Sequence, residues 1–254
     1  MLHAVRATVG AVAALAALVA ASPAVAADRE ARDRVIAVDG VAKFDPSVRV
    51  EILVDVAAGT SARAAGDRAL NAQGAQRAPE PPQSAAYTFN GLRWDVLPVV
   101  QSYNPSGEPT TAARAALTNT YPDWSSVPAS TYRITSGGTT TRCPSLVREC
   151  RGQQRFDAFN DVGWARLGGG TLGVTWYGTA TDEADMAINT RYAWTTTCTQ
   201  VAGAFDLETV YLHENGHVAG LGHSNDTNAV MYPSYQSARC ALGQDDRNGI
   251  AALY

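Results

Sequence analysis

The sequence predicts an α+β domain that runs from about residue 87 to residue 254 and combines a mixed sheet with a few helices. Segments in which apolar residues alternate, as at 47–56 and 171–177, are typical of strands. A segment with helical composition and a threonine at its start, at 110–120, lies between predicted strands. Another predicted helix continues into the segment 213–223, which contains three histidines, and their clustering indicates a metal site.

The remaining elements have local signals of the same kind. Asp206 is suited to cap the helix that leads into the histidines, and two acidic residues begin a C-terminal helix at 245–254. A further helix is predicted upstream, at 62–75. Additional strands are predicted at 92–103, 131–135, 164–167 and 185–189.

Composition excludes two classes of partner. The chain is 46% hydrophobic and 17% charged, which is ordinary for a globular protein with a real core. Its formal net charge is −4, and no cluster of Lys and Arg offers phosphates a binding surface. We therefore expect neither nucleic acid nor an anionic membrane as a partner.

The first 27 residues have the layout of a secretory signal peptide. Arg6 precedes an apolar run at 9–21, and small residues ending in Ala26 and Ala27 follow. The alternative is a membrane anchor, but the run is alanine-rich and shorter than the roughly 20 residues that a span needs. We expect cleavage near Ala26, a secreted extracellular protein and no membrane span afterwards.

If the chain is secreted, its cysteines are expected to form disulfides. Four cysteines in an oxidising compartment predict two disulfides, and sequence alone leaves three pairings open. We favour Cys143 with Cys150 and Cys198 with Cys240, because each pair brackets a plausible loop or subdomain.

Residues 28–86 are predicted to form a separate N-terminal segment, which is a possible propeptide plus linker. The stretch RAPEPPQ at 77–83 has three prolines and marks a linker rather than a helix or strand. The main domain of the chain would then be residues 87–254.

The histidine run HENGHVAGLGH at 213–223 carries the chemistry. On a helix, His213 and His217 project from one face one turn apart, a spacing that suits two ligands of one zinc ion. Glu214 is displaced from that face, and it is placed to act as the general base on a zinc-activated water. Gly220 can end the helix, so that His223 returns as a third ligand and leaves the fourth zinc position open. The alternative is a set of surface or capping histidines.

The run HENGHVAGLGHS at 213–224 resembles the metzincin metallopeptidases, and most closely the matrixin branch. VMYPSY at 230–235, QDDRNGIAALY at 244–254, GGGTLGVTWY at 168–177 and DEADMAIN at 182–189 support that branch. The resemblance spans about residues 87–254. It implies a twisted five-stranded mixed sheet, three helices with the active-site helix beneath a cleft, and a small C-terminal subdomain.

The resemblance also implies roles for individual residues. His213, His217 and His223 would hold one catalytic zinc ion, with Glu214 as the base. Four residues would support the site: Met231 as the floor under the zinc, Gly220 at the helix end, and Asp245 and Asp246 anchoring the last helix to the methionine turn. Substrate would be bound by Pro233, Ser234 and Tyr235 around a pocket, and by Leu172 and Val174 on a sheet edge that pairs with an extended peptide.

Two departures from the matrixin pattern affect these expectations. Matrixins usually stay latent through a propeptide cysteine, but no cysteine lies between Asp28 and Arg142, so an inhibitory segment would need another group, such as Asp39 or Asp45. No histidines remain for a second, structural zinc ion. Calcium at Asp182, Glu183 or Asp185 is conceivable, with a solvated acidic loop as the alternative.

Together these features predict a secreted zinc endopeptidase, a monomer that acts on extracellular proteins or peptides. Two alternatives stay open. One is a secreted zinc-binding protein without turnover, and the other is a zinc hydrolase of a non-peptide bond.

Overall fold

The computed structural model describes residues 34–79, 86–144, 156–179 and 182–254, and in these parts the predicted α+β class is confirmed. The described helices are α1 (Ala62–Ala72), α2 (Ala113–Ser125), α3 (Leu207–Val218) and α4 (Gln244–Leu253). The strands are β1 (Val35–Ala42), β2 (Val48–Asp55), β3 (Ala75–Arg77), β4 (Val99–Tyr103), β5 (Ile134–Thr139), β6 (Asn160–Ala165), β7 (Thr171–Gly178), β8 (Ala184–Asn189), β9 (Trp194–Thr195) and β10 (Phe205–Asp206).

The expected count of five strands and three helices is wrong. The main sheet has eight strands in the order β3-β1-β2-β7-β8-β6-β4-β5, and a small parallel pair joins β9 and β10. Five of the eight strands come from residues 99–189, and the other three, with the fourth helix α1, come from residues 35–77. The count failed because residues 28–86 were treated as a segment apart, whereas their strands extend the same sheet.

The sheet changes from antiparallel to parallel at β8. Strands β3, β1, β2, β7 and β8 pair antiparallel in succession, and β8, β6, β4 and β5 pair parallel. We call β1, β2 and the turn between them, residues 35–55, the N-terminal hairpin. Its strand β2 pairs with β7 along the whole stretch from Val48 to Val54.

Two apolar cores cover the sheet. The larger contains Trp124 of α2 and Leu212 of α3, and the indole nitrogen of Trp124 donates to the carbonyl oxygen of Leu212 at 3.1 Å. The smaller joins Ile52 of β2 and Trp176 of β7 to Leu70 of α1. The hairpin therefore contributes to a core that it shares with β7.

Most predicted elements are present, with shifted ends. The strand expected at 92–103 begins only at Val99, because Pro98 cannot donate a ladder hydrogen bond. Helix α2 runs past Thr120 to Ser125, since Tyr121 and Trp124 are buried against the core. Asp206 caps α3 as predicted, and its side chain accepts a hydrogen bond from the amide of Thr209.

The Cys198–Cys240 disulfide favoured from the sequence is present. Cys143 is also disulfide-bonded, and its expected partner Cys150 lies outside the described residues. The expected signal peptide at 1–27 lies outside them as well. No described helix has the length and apolar character needed to cross a membrane.

Candidate metal centre

Helix α3 carries two histidines and a glutamate into the interior. Its first turn is fixed by the Asp206 cap, with the amide and hydroxyl of Thr209 donating to Oδ1 of Asp206 at 2.8 and 2.7 Å. About two to three turns further along, His213, Glu214 and His217 are all buried. These side chains therefore lie between α3 and the sheet, not on a solvated face.

A tight helix end brings the third histidine back. The amide of Gly220 donates to the carbonyl of His217, and that of Leu221 donates to the carbonyl of Gly216, which is the hydrogen-bond pattern of a Schellman cap. Gly220 has a φ of +98°, and a Cβ there would overlap the carbonyl oxygen of Leu92. The requirement for glycine at this position thus has both a conformational and a packing cause.

The three imidazoles converge. One ring nitrogen from each of His213, His217 and His223 lies within 4.8 Å of the others. Nδ1 of His213 is 2.8 Å from the carbonyl oxygen of Val230, and Nδ1 of His217 is 2.9 Å from that of Leu221. Because a carbonyl only accepts, both Nδ1 atoms carry the hydrogen and both Nε2 atoms present lone pairs.

Those two Nε2 atoms lie 3.1 Å apart. Facing lone pairs repel unless a cation lies between them, so this donor set fits a divalent metal ion. Burial, and then the neighbouring His223, lower the pKa of His213 to about 3. Burial also lowers the pKa of His217 well below its usual value. Both rings are therefore neutral at physiological pH, which is the form that ligates metal.

Glu214 is fully buried beside this cluster. Its Oε2 accepts a hydrogen bond of 2.5 Å from the hydroxyl of Thr175 on β7, whereas its Oε1 has no hydrogen-bond partner among the described residues. Burial raises the pKa of Glu214 to about 8, and the Thr175 hydroxyl opposes the rise. A cation among the histidines would favour the ionised carboxylate further.

The support residues expected beneath the site are in contact with it. Met231 is buried, and a Cβ on Gly216 of α3 would overlap its sulfur, so only glycine lets the methionine pack there. Asp246 of α4 accepts hydrogen bonds from the amides of Val230 and Met231 at 2.7 and 3.1 Å. Asp245 accepts one from the hydroxyl of Ser224.

The expected pocket residues lie beside His213, but the pocket is filled. Ser234 and Tyr235 line a cavity of about 20 Å³ next to His213, and Leu53 of β2 forms part of the same wall. Pro233 lines a different cavity, of about 480 Å³, next to Asp39 and His223, and its carbonyl accepts a hydrogen bond from the amide of Ala37 at 3.0 Å.

The expectation that β7 is a free sheet edge is wrong, because β2 pairs along it. Leu172 and Val174 are both buried, and Val174 packs in the smaller core on the face of β7 opposite to Thr175. Local alternation in a sequence does not reveal whether a distant strand covers the edge.

The two proposed inhibitory aspartates lie in different places. Oδ1 of Asp39 on β1 lies 3.0 Å from Nδ1 of His223. Asp45 lies in the turn of the hairpin, where it accepts hydrogen bonds from the amide and hydroxyl of Ser47. Only Asp39 therefore reaches the histidines.

Two polar residues at the site, Glu51 and Thr175, were missed from the sequence. Together with Asp39 they lie side by side on β1, β2 and β7, so the three side chains share one face of the sheet. Glu51 is buried and accepts a hydrogen bond from the hydroxyl of Tyr177 at 3.0 Å. Burial, and then the charge of Asp39, raise the pKa of Glu51 well above its usual value. Glu51, Thr175 and Leu53 have no local motif that could have identified them.

Two of the carboxylates considered for calcium binding accept hydrogen bonds from backbone amides of the chain. The carboxylate of Glu183 accepts hydrogen bonds from the amides of Asp157 and Ala158, and that of Asp185 from the amide of Asp161. The guanidinium of Arg142 makes two hydrogen bonds of 2.9 Å to Asp161. These contacts give the carboxylates a structural role that needs no ion.

Comparisons with known proteins agree with this geometry. A family model described as Matrixin matches residues 100–254. Metalloendoproteinase 1 of Glycine max is 54% identical over 56 residues, which are 21% of this chain and 18% of that protein. Human matrilysin is 40% identical over 77 residues, or 29% and 22% of the two chains. Human neutrophil collagenase is 38% identical over 73 residues, or 28% and 15%.

The matched stretches span no more than 22% of the length of these three relatives, whereas the family model covers more than half of this chain. The histidines, the glycine-ended helix and the methionine turn all fall within the matched range. The chain belongs to the matrixin family of metalloendopeptidases.

Proposed function

We propose that this chain is a zinc endopeptidase in which His213, His217 and His223 hold the ion and Glu214 is the general base. The observation that carries the proposal is the convergence of the histidine nitrogens, two of them fixed as Nε2 donors 3.1 Å apart, beside a carboxylate whose Oε1 has no partner among the described residues. Three imidazole ligands leave room for a fourth ligand, as in catalytic rather than structural zinc sites.

A bound zinc ion would supply Lewis-acid polarisation of the scissile carbonyl and would lower the pKa of a nearby water molecule. The chain itself supplies the proton transfers. Oε1 of Glu214 takes the proton from the attacking water and passes it to the leaving amine. Thr175 holds Oε2, so that the carboxylate keeps one orientation through both transfers.

The pocket beside His213 would take the side chain that follows the scissile bond. Ser234 and Tyr235 form one of its walls, and Val210 and Val230 supply apolar surface. Substrates would be extracellular proteins or peptides, and the chain would act as a monomer. The signal-like pattern at 1–27 and the Cys198–Cys240 disulfide support secretion.

The test compares two glutamates on helix α3 in the mature secreted protein. Glu214→Ala should retain one zinc ion per chain but cleave casein about 10²- to 10⁴-fold more slowly, because the proton acceptor is gone. Glu208→Ala, a change at a half-buried residue in the first turn of the same helix, should leave both properties unchanged. Undiminished cleavage by Glu214→Ala would remove Glu214 from its role.

One observation favours the alternative of a zinc-binding protein without turnover. Glu214 is fully buried, and the cavity beside His213, which Leu53 of the N-terminal hairpin helps to line, holds only about 20 Å³, so a substrate side chain has no room there in this arrangement. Casein degradation with and without a zinc-specific chelator separates the two functions. Chelator-sensitive degradation supports the peptidase, and its absence in every processed form supports the binding protein.

A further inference from the structure

We infer that Asp39 of the N-terminal hairpin is a positioning residue of the metal centre, whose carboxylate holds the ring of His223 so that Nε2 faces the ion. This inference deepens the proposed function and rests on it, since it assigns a support to one of the three proposed ligands. Three observations carry it: the outer partners of the other two histidine rings, the contact between Asp39 and His223, and the way in which the sheet fixes residue 39.

An imidazole that binds a metal ion needs a partner on its other ring nitrogen. That partner accepts the remaining ring hydrogen, which fixes both the tautomer and the direction of the ring. His213 and His217 have such partners in the carbonyl oxygens of Val230 and Leu221, which lie 2.8 and 2.9 Å from the Nδ1 atoms. The ring of His223 requires an equivalent partner if its Nε2 is to bind the same ion.

Asp39 occupies the position of that partner. Its Oδ1 lies 3.0 Å from Nδ1 of His223, and no other described residue forms a hydrogen bond with this oxygen. Nε2 of His223 is buried and has no hydrogen-bond partner among the described residues. The carboxylate can therefore take the hydrogen of Nδ1, which leaves Nε2 for the ion.

Asp39 acts through His223 and not as a ligand itself. Ring nitrogens of the three histidines lie within 4.8 Å of one another, and Asp39 is not a member of this group. It forms a separate group with Glu51 and His223. A carboxylate at the outer nitrogen of a metal-binding histidine raises the basicity of the ring, so Asp39 should strengthen the bond from His223 to the ion.

The sheet gives the Asp39 side chain a fixed direction. Strand β1 lies between β2 and β3, where Asp39 is opposite Glu51 of β2. On the other side, the carbonyl of Asp39 accepts a hydrogen bond from the amide of Ala78 at 3.0 Å. The neighbouring Val38 is buried in the smaller core. Since successive side chains of a strand point to opposite faces, Asp39 is held toward the histidines.

Main-chain contacts also hold His223 and β1 in place. The hydroxyl of Thr88 donates to the carbonyl of His223 at 2.7 Å, and the amide of Gly222 donates to the carbonyl of Thr88 at 2.8 Å. The amide of Ala37 on β1 donates to the carbonyl of Pro233 at 3.0 Å. The backbone is thus fixed at both ends of the contact, and only two short side chains lie between them.

The alternative is an ion pair that only stabilises the hairpin. The side chains of His223 and Asp39 are 13% and 36% exposed, so water weakens their attraction and the pair adds little to the stability of the fold. Selecting a tautomer needs only one acceptor at the correct nitrogen. The contact is therefore better suited to orienting the ring than to holding the sheet together.

The first experiment measures the zinc affinity of the full chain by competition with a chromogenic chelator. Asp39→Ala should bind zinc about 10- to 100-fold more weakly than the unchanged chain, because His223 loses its outer partner. Asp45→Ala removes the same charge in the hairpin turn, and Val38→Ala removes packing on the other face of β1. Each of these two controls should change the affinity by less than about twofold.

The second experiment determines the tautomer directly. Nitrogen-15 NMR of the metal-free full chain at about pH 8, where free imidazole is neutral, should show the ring hydrogen of His223 on Nδ1. Asp39→Ala should shift His223 toward the tautomer with the hydrogen on Nε2, and it should leave His213 and His217 unchanged. Asp39→Asn keeps an acceptor oxygen, so it should restore the Nδ1 tautomer and bind zinc more tightly than Asp39→Ala.

The outcomes separate this inference from the proposed function. Zinc binding by Asp39→Ala within about twofold of the unchanged chain, or an equal loss in Val38→Ala, would overturn the positioning role and leave the zinc site intact. A full chain that binds no zinc would overturn the proposed function itself. If Asp39→Ala loses its native circular dichroism, Asp39→Asn is compared with Asp45→Asn. Weaker zinc binding by Asp39→Asn then supports the inference, and equal binding overturns it.

Discussion

The histidine segment, residues 213–223, and the N-terminal hairpin meet within a few ångströms of each other but are held in place differently. The rings of His213 and His217 are oriented by the backbone carbonyls of Val230 and Leu221, which are close along the chain, whereas Nδ1 of His223 faces Asp39 of the hairpin. The hairpin is held by a ladder to β7, whose residues lie more than 100 positions away, and by burial of alternate side chains. The difference indicates that His213 and His217 can keep their orientation without the hairpin, whereas His223 has a contact with it.

The two regions also differ in how their side chains are used. In the histidine segment, the rings of His213 and His217 and the carboxylate of Glu214 each have a hydrogen-bond partner and face the proposed ion. In the hairpin, Leu53 and Asp39 face the site while Val38 and Ile52 face the smaller core. One face of the hairpin therefore packs in the smaller core and the other lies toward the histidines, so substitutions on the two faces should have separable effects.

The largest expected effect comes from replacing one of the three histidines. His217→Ala should weaken zinc binding at least about 100-fold and remove stoichiometric zinc, because a direct ligand is lost. Amide exchange in β1 and β2 should stay slow, since the ladder does not involve His217. Elemental analysis and hydrogen exchange measure the two effects, with the chelator-treated unchanged chain as control. A hairpin that exchanges as fast as an unfolded chain in this variant would show that metal, not the sheet, holds it.

The next effect is on the turn beneath the histidines. Asp246→Ala should lower the free energy of unfolding by about 3 kcal/mol, because the amides of Val230, Met231 and Gly243 lose their acceptor. Denaturant titration measures the change. Gln244→Ala, an exposed change in the same helix, should cost less than about 0.5 kcal/mol. Similar losses in both variants would contradict the anchoring role of Asp246.

Thr175 contacts both regions. It lies opposite Glu51 of the hairpin, and its hydroxyl donates a hydrogen bond to Glu214 of α3. Thr175→Val keeps the shape but removes the hydroxyl, so kcat of the mature protein should fall about tenfold with KM unchanged, which corresponds to about 1.4 kcal/mol. Thr175→Ser restores the hydroxyl and should restore most of kcat. A change in KM alone, or no rescue by serine, would assign Thr175 to packing rather than to positioning the base.

The smallest expected effect is a change in the stability of the hairpin. Ile52→Val should cost about 1 kcal/mol, because one buried methyl group leaves the smaller core. Amide exchange should accelerate in β1 and β2, and the zinc content should not change. Ile134→Val makes the same change in the larger core, and it should not accelerate exchange in the hairpin selectively. Matching exchange patterns in the two variants would mean that the hairpin does not open independently.

The sequence predicted the convergence of the three histidines well, because that convergence depends on local structure. His213 and His217 are one helical turn apart, and Gly220 brings His223 back within a few residues. The Asp206 cap and the C-terminal helix follow from single residues at helix ends. Each of these features depends on contacts within about 20 positions, a range in which periodicity and capping rules apply.

The hairpin and the covered edge of β7 could not be predicted in the same way. Strand β1 contains Asp39 and Gly40, which weaken its strand signal, and it is stabilised by β2 and β3 on its two sides. Gly40 is used for packing, since a Cβ there would overlap Leu70 of α1. The pairing of β2 with β7 joins residues far apart in the chain, so alternation within either strand cannot indicate its partner.

The claim that His213, His217 and His223 bind one zinc ion can be tested by X-ray absorption at the zinc edge of the zinc-loaded full chain, which reports the ligands of the ion without any assay of turnover. We expect one zinc ion per chain with three imidazole nitrogens at about 2.0–2.1 Å and one oxygen ligand, and the loss of one imidazole in His217→Ala. A spectrum with one imidazole or none in the unchanged chain, or the same spectrum in both chains, would contradict it.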